Sequence, residues 1–253
     1  METPAPFVEP TPRHVKVLLG DEVVADSTHA LLVNRYGKRQ MPTYAFPEAD
    51  VRTELLSPSD AEPIPDTSAH DVKGADDVAT GQAFRFEDLP EPLAEGNGHW
   101  TFEWDQDLRW FEEAQEVHVH ARSTNHRVDA VPSDRHVQVF VEGELVADSH
   151  RPVAVFETSL PTRWYLPKED VRMDLLEATD SETGCPYKGF ARYWSVRTPK
   201  RTFKDIVWAY DEPLPEVQAI RGLVSFYNER VDLVVDGEHV GRPQTEWSKP
   251  DEA

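Results

Sequence analysis

The chain is poor in the residues that staple or anchor a protein. It has one cysteine, Cys185, among 253 residues. That rules out an intrachain disulfide and any zinc or iron–sulfur site built from several cysteines. No apolar run approaches the roughly 20 residues that a membrane span needs. The N-terminal METPAPFVEPTPRH lacks the charged-then-apolar order of a secretory signal. Basic residues are scarce too: 26 lysines and arginines stand against 47 aspartates and glutamates, a formal net charge of −21. Such a chain has no counterion-release term to offer a phosphate backbone or an anionic lipid surface. These absences predict a cytoplasmic protein that binds neither nucleic acid nor membrane, with its acidity serving solubility. The GxSxG elbow, the P-loop and GxGxxG are missing as well, so no cofactor is expected. Oligomeric state is not legible.

What is present is a repeat. RHVKVLLGDEVVADS (Arg13 to Ser27) returns as RHVQVFVEGELVADS (Arg135 to Ser149), 122 residues later. FPEADVRTELLSPSD (Phe46 to Asp60) returns as LPKEDVRMDLLEATD (Leu166 to Asp180), 120 residues later. Two matched blocks in the same order mean a duplication, and copies this long and few are tandem domains rather than a solenoid. The expected layout is a flexible N-terminus over 1–12 and a first domain over 13–124. A linker over 125–134, a second domain over 135–243 and a flexible C-terminus over 244–253 follow. The first copy diverges over 61–98, a stretch rich in Pro, Asp and Gly that reads as loop with one short strand, Ala83 to Phe86. It is expected to be the degenerate copy.

Period-2 alternation at Val137, Val139 and Val141, then Glu142-Gly143, then Leu145 and Ala147, predicts a β-hairpin. VDLVVDGEHVG predicts another, turning at Asp236-Gly237. Strands are expected over 153–156, 163–166, 191–196 and 206–210. Pro167 to Val171 reads as a single helical turn. Pro215, Glu216 and an apolar stripe at Val217, Ile220, Leu223 and Val224 predict one helix. The fold class is α+β and β-dominated.

The second copy runs VADS, YLPKEDVRMDLLEATD, CPYKGFARYWSV, IVWAYDEPLPEV and GLVSFYNERVDLVVDG. This series closely resembles the domain of unknown function 427 family, over nearly the whole second copy and the first half of the first. The resemblance implies two tandem β-tent-like domains, each with several short antiparallel strands and about one helix. Some β-tent folds carry a four-cysteine zinc site, which one cysteine excludes. The family also bears a nucleotidyltransferase label. That chemistry needs spaced carboxylates holding Mg²⁺ beside a Gly-Ser turn, and the nearest approach is Asp105 and Asp107, without such a turn.

Candidate chemistry centres on the second copy. Lys188, three residues after Cys185, places an ammonium where it would favour a thiolate, so these two are the candidate catalytic pair. Tyr187, Arg192, Tyr193, Trp194 and Trp208 are the candidate ligand-binding residues, an aromatic wall with a cationic rim for a small anionic or planar molecule. The bland reading is a core turn and a ring-filled core within a structural or protein-interaction module. His118 and His120 stand at i and i+2, on one face if they lie in a strand, but without a matching set in the other copy no metal site is expected. The carboxylates of EWDQDLRWFEEAQE read as a solvated face.

Overall fold

A computed structural model describes residues 4–245, 247 and 248. It divides between Thr124 and Asn125 into two compact units. The first holds β1 (Phe7–Pro10), β2 (Val15–Leu19), β3 (Glu22–Ser27), β4 (Leu31–Asn34), β5 (Thr43–Ala45) and β6 (Leu56–Pro58). It continues with β7 (Thr67–Lys73), β8 (Val78–Phe86), β9 (Trp100–Phe102), β10 (Leu108–Glu112) and β11 (Gln115–Val117). The second holds β12 (Val128–Pro132), β13 (Val137–Val141), β14 (Glu144–Ser149), β15 (Val153–Glu157) and β16 (Arg163–Leu166). After these come β17 (Leu176–Cys185), β18 (Gly189–Arg197), β19 (Thr202–Tyr210), β20 (Val224–Phe226), β21 (Asp232–Val235) and β22 (Glu238–Val240). Every strand pairing is antiparallel, and the β-dominated fold class is as expected.

The two units share one topology. The second has a seven-stranded sheet, β12-β15-β16-β20-β19-β18-β17, and a four-stranded one, β14-β13-β21-β22. The first has β3-β2-β10-β11, and its β1-β4-β5 and β9-β8-β7-β6 sheets meet at the Phe46–Trp100 bridge. That reproduces the seven-stranded order strand for strand. In each unit the two sheets close on an apolar core. Val137, Val139, Leu233 and Val235 of the second unit face Leu166, Val196, Val207 and Phe226. Burying such side chains contributes about 1.5–3 kcal/mol each. A bulge between Val139 and Phe140 shifts the register, so Val146 is buried and Leu145 is exposed.

Several expectations change. Residues 61–98 hold more than the one short strand expected: β7 and β8 form a long hairpin there, matching β18 and β19. Leu56 pairs with Val72 as Leu176 pairs with Val196. The β6–β7 span is therefore four residues shorter than β17–β18, and the difference falls in the stretch 179–190 that holds CPYKG. His70, Asp71 and Val72 stand in register with Trp194, Ser195 and Val196. Parts of the expected flexible N-terminus and linker are edge strands, β1 and β12, each ending in a proline, as edge strands tolerate. Of the expected flexible ends, 1–3, 246 and 249–253 lie outside the described residues. The expected helix is a 3₁₀ segment, Pro215–Ile220, kinked at Val217. Six residues are too few to repay helix nucleation, and Gly222 at φ 71° then turns the chain into β20. The Lys168–Asp170 turn is as expected. No helix among the described residues is long and apolar enough to cross a membrane.

Candidate functional site

All four residues of β16, Arg-Trp-Tyr-Leu, are buried. Alternation sends Trp164 and Leu166 into the core between the sheets and Arg163 and Tyr165 to the opposite face. On that outer face a cross-strand row runs Tyr165, Ser225, Trp208, Tyr193. Tyr210, Val217 and Ile220 pack beside it. Trp208 Nε1 donates to the Tyr165 hydroxyl at 3.0 Å. The Tyr193 hydroxyl lies 2.8 Å from Thr183 Oγ1 and 3.4 Å from the Tyr227 hydroxyl. Burial pushes the Tyr165, Tyr210 and Tyr227 phenols upward, so they remain protonated donors. Ser225 is 0% exposed, and its Oγ has no hydrogen-bond partner among the described residues. Arg163 donates to both oxygens of buried Glu229 at 2.7 Å. Its guanidinium lies 5.6–5.7 Å from the Trp208, Tyr227 and Trp247 rings.

The CPYKG turn adjoins this face. Lys188 N donates to Cys185 O, closing a turn at 3.2 Å. The Lys188 side chain is buried, with its Nζ 2.5 Å from each Glu157 oxygen. His126 Nε2 lies 3.2 Å from the same carboxylate, and its ring stacks on Tyr187 at 4.1 Å. Burial alone would raise the Glu157 carboxyl. The His126 hydrogen bond and the Lys188 charge together outweigh it and hold the group below the ordinary carboxylate value. Cys185 is half-buried. Its thiol is close enough to Tyr165 and Tyr210 that a negative charge there opposes their ionisation.

Of the seven sequence candidates, Tyr193 and Trp208 therefore share a face, with Cys185 nearby. Lys188 points its charge into Glu157 and not at the sulfur. Tyr187 stacks on His126. Arg192 is exposed, 3.7 Å from Asp211. Trp194 is on the opposite face, packed against the inner core beneath the Lys168 ammonium. Sequence reasoning missed Glu157, His126, Arg163, Tyr210, Ser225, Tyr227 and Glu229. The available signal was β16: an arginine and a tyrosine two residues apart in an otherwise apolar strand.

The first unit is a built-in control. In register, Ala45, Thr101, Phe84, Ala69 and Phe86 stand where Tyr165, Ser225, Trp208, Tyr193 and Tyr210 stand. The polar row belongs to the second unit alone. An ion pair recurs with its charges exchanged: buried Arg35, in register with Glu157, donates to half-buried Asp66 at 2.9 Å and to Pro65 O at 3.1 Å. Both pairs tie the strand end to the neighbouring hairpin.

Elsewhere in the first unit, Asp105 accepts from Val119 N at 2.6 Å and lies 3.1 Å from His118 Nδ1. Asp107 lies 2.5 Å from Gln82 Nε2. Val119 has φ 75°, outside any strand, so His118 and His120 do not share a strand face. Glu112 is buried between Arg122 at 2.6 Å, Arg13 at 3.3 Å and the Tyr44 hydroxyl at 2.6 Å.

No curated protein matches the chain in sequence. A family model described as "Domain of unknown function (DUF427)" matches residues 7–113 and again residues 129–237. The two matches fall on the two units, one on each, and the chain belongs to that family as a tandem duplication of its domain.

Proposed function

We propose that the second repeat binds a small, planar, hydrogen-bonding molecule on the outer face of its seven-stranded sheet. Tyr165, Tyr193, Trp208 and Ser225 form the bed, and Cys185 and Tyr187 are contacts at the margin. The observation that carries this reading is the orphaned Ser225 hydroxyl inside a polar aromatic row that the other repeat builds from Ala, Thr and Phe. A core needs no such row: each buried hydroxyl costs free energy unless it is paired. Cys185 acts here as a contact rather than a nucleophile, since the Lys188 charge is engaged by Glu157.

The test is a thermal-shift and titration screen of planar metabolites (nucleobases, pterins, aromatic carboxylates) on the full chain. A ligand that raises the melting temperature should lose about tenfold in affinity in Ser225→Ala, one hydrogen bond's worth. The fold itself should be unharmed, because removing an unpaired hydroxyl is neutral or stabilising. Tyr193→Phe should weaken the same ligand, and Cys185→Ser should retain it. A screen with no hit, or hits indifferent to Ser225→Ala and Tyr193→Phe, would leave the row as core and overturn the reading.

A further inference from the structure

Beyond that reading, the hairpin that opens the second repeat carries a second arrangement of chemical groups. Val137 pairs with Ser149, and Gln138 with Asp148. His136, one residue before Val137, is therefore set opposite His150. Alternation puts Asp148 on the same face as His150. The hairpin register thus gathers two imidazoles and a carboxylate from residues 12 and 14 positions apart. His136 Nε2 lies 2.7 Å from Asp148 Oδ1, and the His136 and His150 rings stack at 4.0 Å. One ligand atom from each residue falls within a mutual 4.8 Å. Gln138 Nε2 donates to the other oxygen of Asp148 at 3.0 Å and orients the carboxylate. His136 is half-buried and the other two are exposed, so side-chain rotation can close the set.

We propose that His136, Asp148 and His150 form a divalent transition-metal site, taking Zn²⁺, Ni²⁺ or Cu²⁺ through two imidazole nitrogens and one carboxylate oxygen. Imidazole suits these ions, and a three-ligand set leaves a position for water or a further group. Ligands about 2.1 Å from a tetrahedral ion stand about 3.4 Å apart, a small step from the arrangement present. Gln138 supplies the outer hydrogen bond that such carboxylates usually have. The chain's net charge of −21 draws cations to it.

The first repeat again supplies the control. Val15 pairs with Ser27 and Lys16 with Asp26, so His14 and Asp26 reproduce His136 and Asp148 at 2.5 Å. The place of His150 is taken by Thr28. Two of the three ligands are there and the third is missing. Among the described residues, His136, Asp148 and His150 form the one group of three that meets this spacing.

Calorimetric titration of the untagged full chain with Ni²⁺ tests the site. The expected result is one saturable site per chain, weakened at least tenfold in His150→Thr and in Asp148→Asn. In Thr28→His the stoichiometry should rise to two. Positions 28, 148 and 150 are exposed, so the variants should keep the wild-type circular dichroism spectrum. Absence of saturable binding, or a His150→Thr titration equal to wild type, would overturn the site. A Thr28→His stoichiometry that stays at one would overturn the claim that this hairpin register builds it.

Discussion

Lys188 and Glu157 show how a single pair can be functional in appearance and structural in effect. Both are buried, and the ammonium reaches both carboxylate oxygens. Removing one partner strands a charge in a low-dielectric site, which costs about 3–5 kcal/mol. Lys188→Met should therefore lower the urea unfolding free energy by that amount. The double variant Lys188→Met/Glu157→Gln should recover most of the loss, since neither charge is then left alone. Equal stability of the single variant and wild type would count against the pair as a clamp. The sequence displayed Lys188 three residues after Cys185, and proximity along the chain suggested an activated thiol. Its true partner lies 31 positions away on another strand. Local spacing cannot report a contact that a sheet creates.

Among the elements, the hairpins were the most legible and the 3₁₀ segment the least. Asp236-Gly237 was expected at a turn, and it sits between β21 and β22 with φ 53° and 82°. A β-carbon at Gly237 would meet nothing within 4 Å. The effect of Gly237→Ala therefore isolates backbone conformation, and it should destabilise by about 1–2 kcal/mol in chemical denaturation. A neutral result would mean that the turn relaxes to another form. The alternation read at Val137, Val139 and Val141 survives in β13, because that strand has one face toward the core. The β7–β8 hairpin was largely missed. Its His, Asp and Lys residues and the Gly-Ala-Asp-Asp turn look like loop, yet β7 pairs along its length with β8. Its apolar residues are few because it needs only Ala69 and Val72 buried.

For the whole molecule, charge decides the response to acid. Glu157 and Glu229 are buried, and each carboxyl is held below its ordinary value. Burial alone raises both; hydrogen bonds and nearby cations outweigh it. Asp148, Asp170 and Asp236 are held low by side-chain hydrogen bonds, chiefly from His136, Arg151 and Arg135. A group depressed in the fold stabilises fully above its unfolded value and loses that contribution as pH falls through its folded one. Stability should therefore fall steadily below about pH 4.5, the ordinary glutamate value. Melting temperatures across a pH series check this. A chain as stable at pH 3 as at pH 7 would contradict it.

The sequence by itself determined the duplication, the hairpin turns, the β-dominated class and the family, because repeats and period-2 patterns are properties of residue order. The tertiary structure alone decided that both copies keep the same strand order and that the β6–β7 span is four residues shorter than β17–β18. It also decided which faces the aromatics occupy. Trp194 and Tyr193 are neighbours in the chain and lie on opposite faces of one sheet, whereas Tyr193, Trp208, Ser225 and Tyr165 form one row across four strands. Register between distant strands is set by hydrogen bonding and packing over the whole sheet, and no local stretch of sequence carries it.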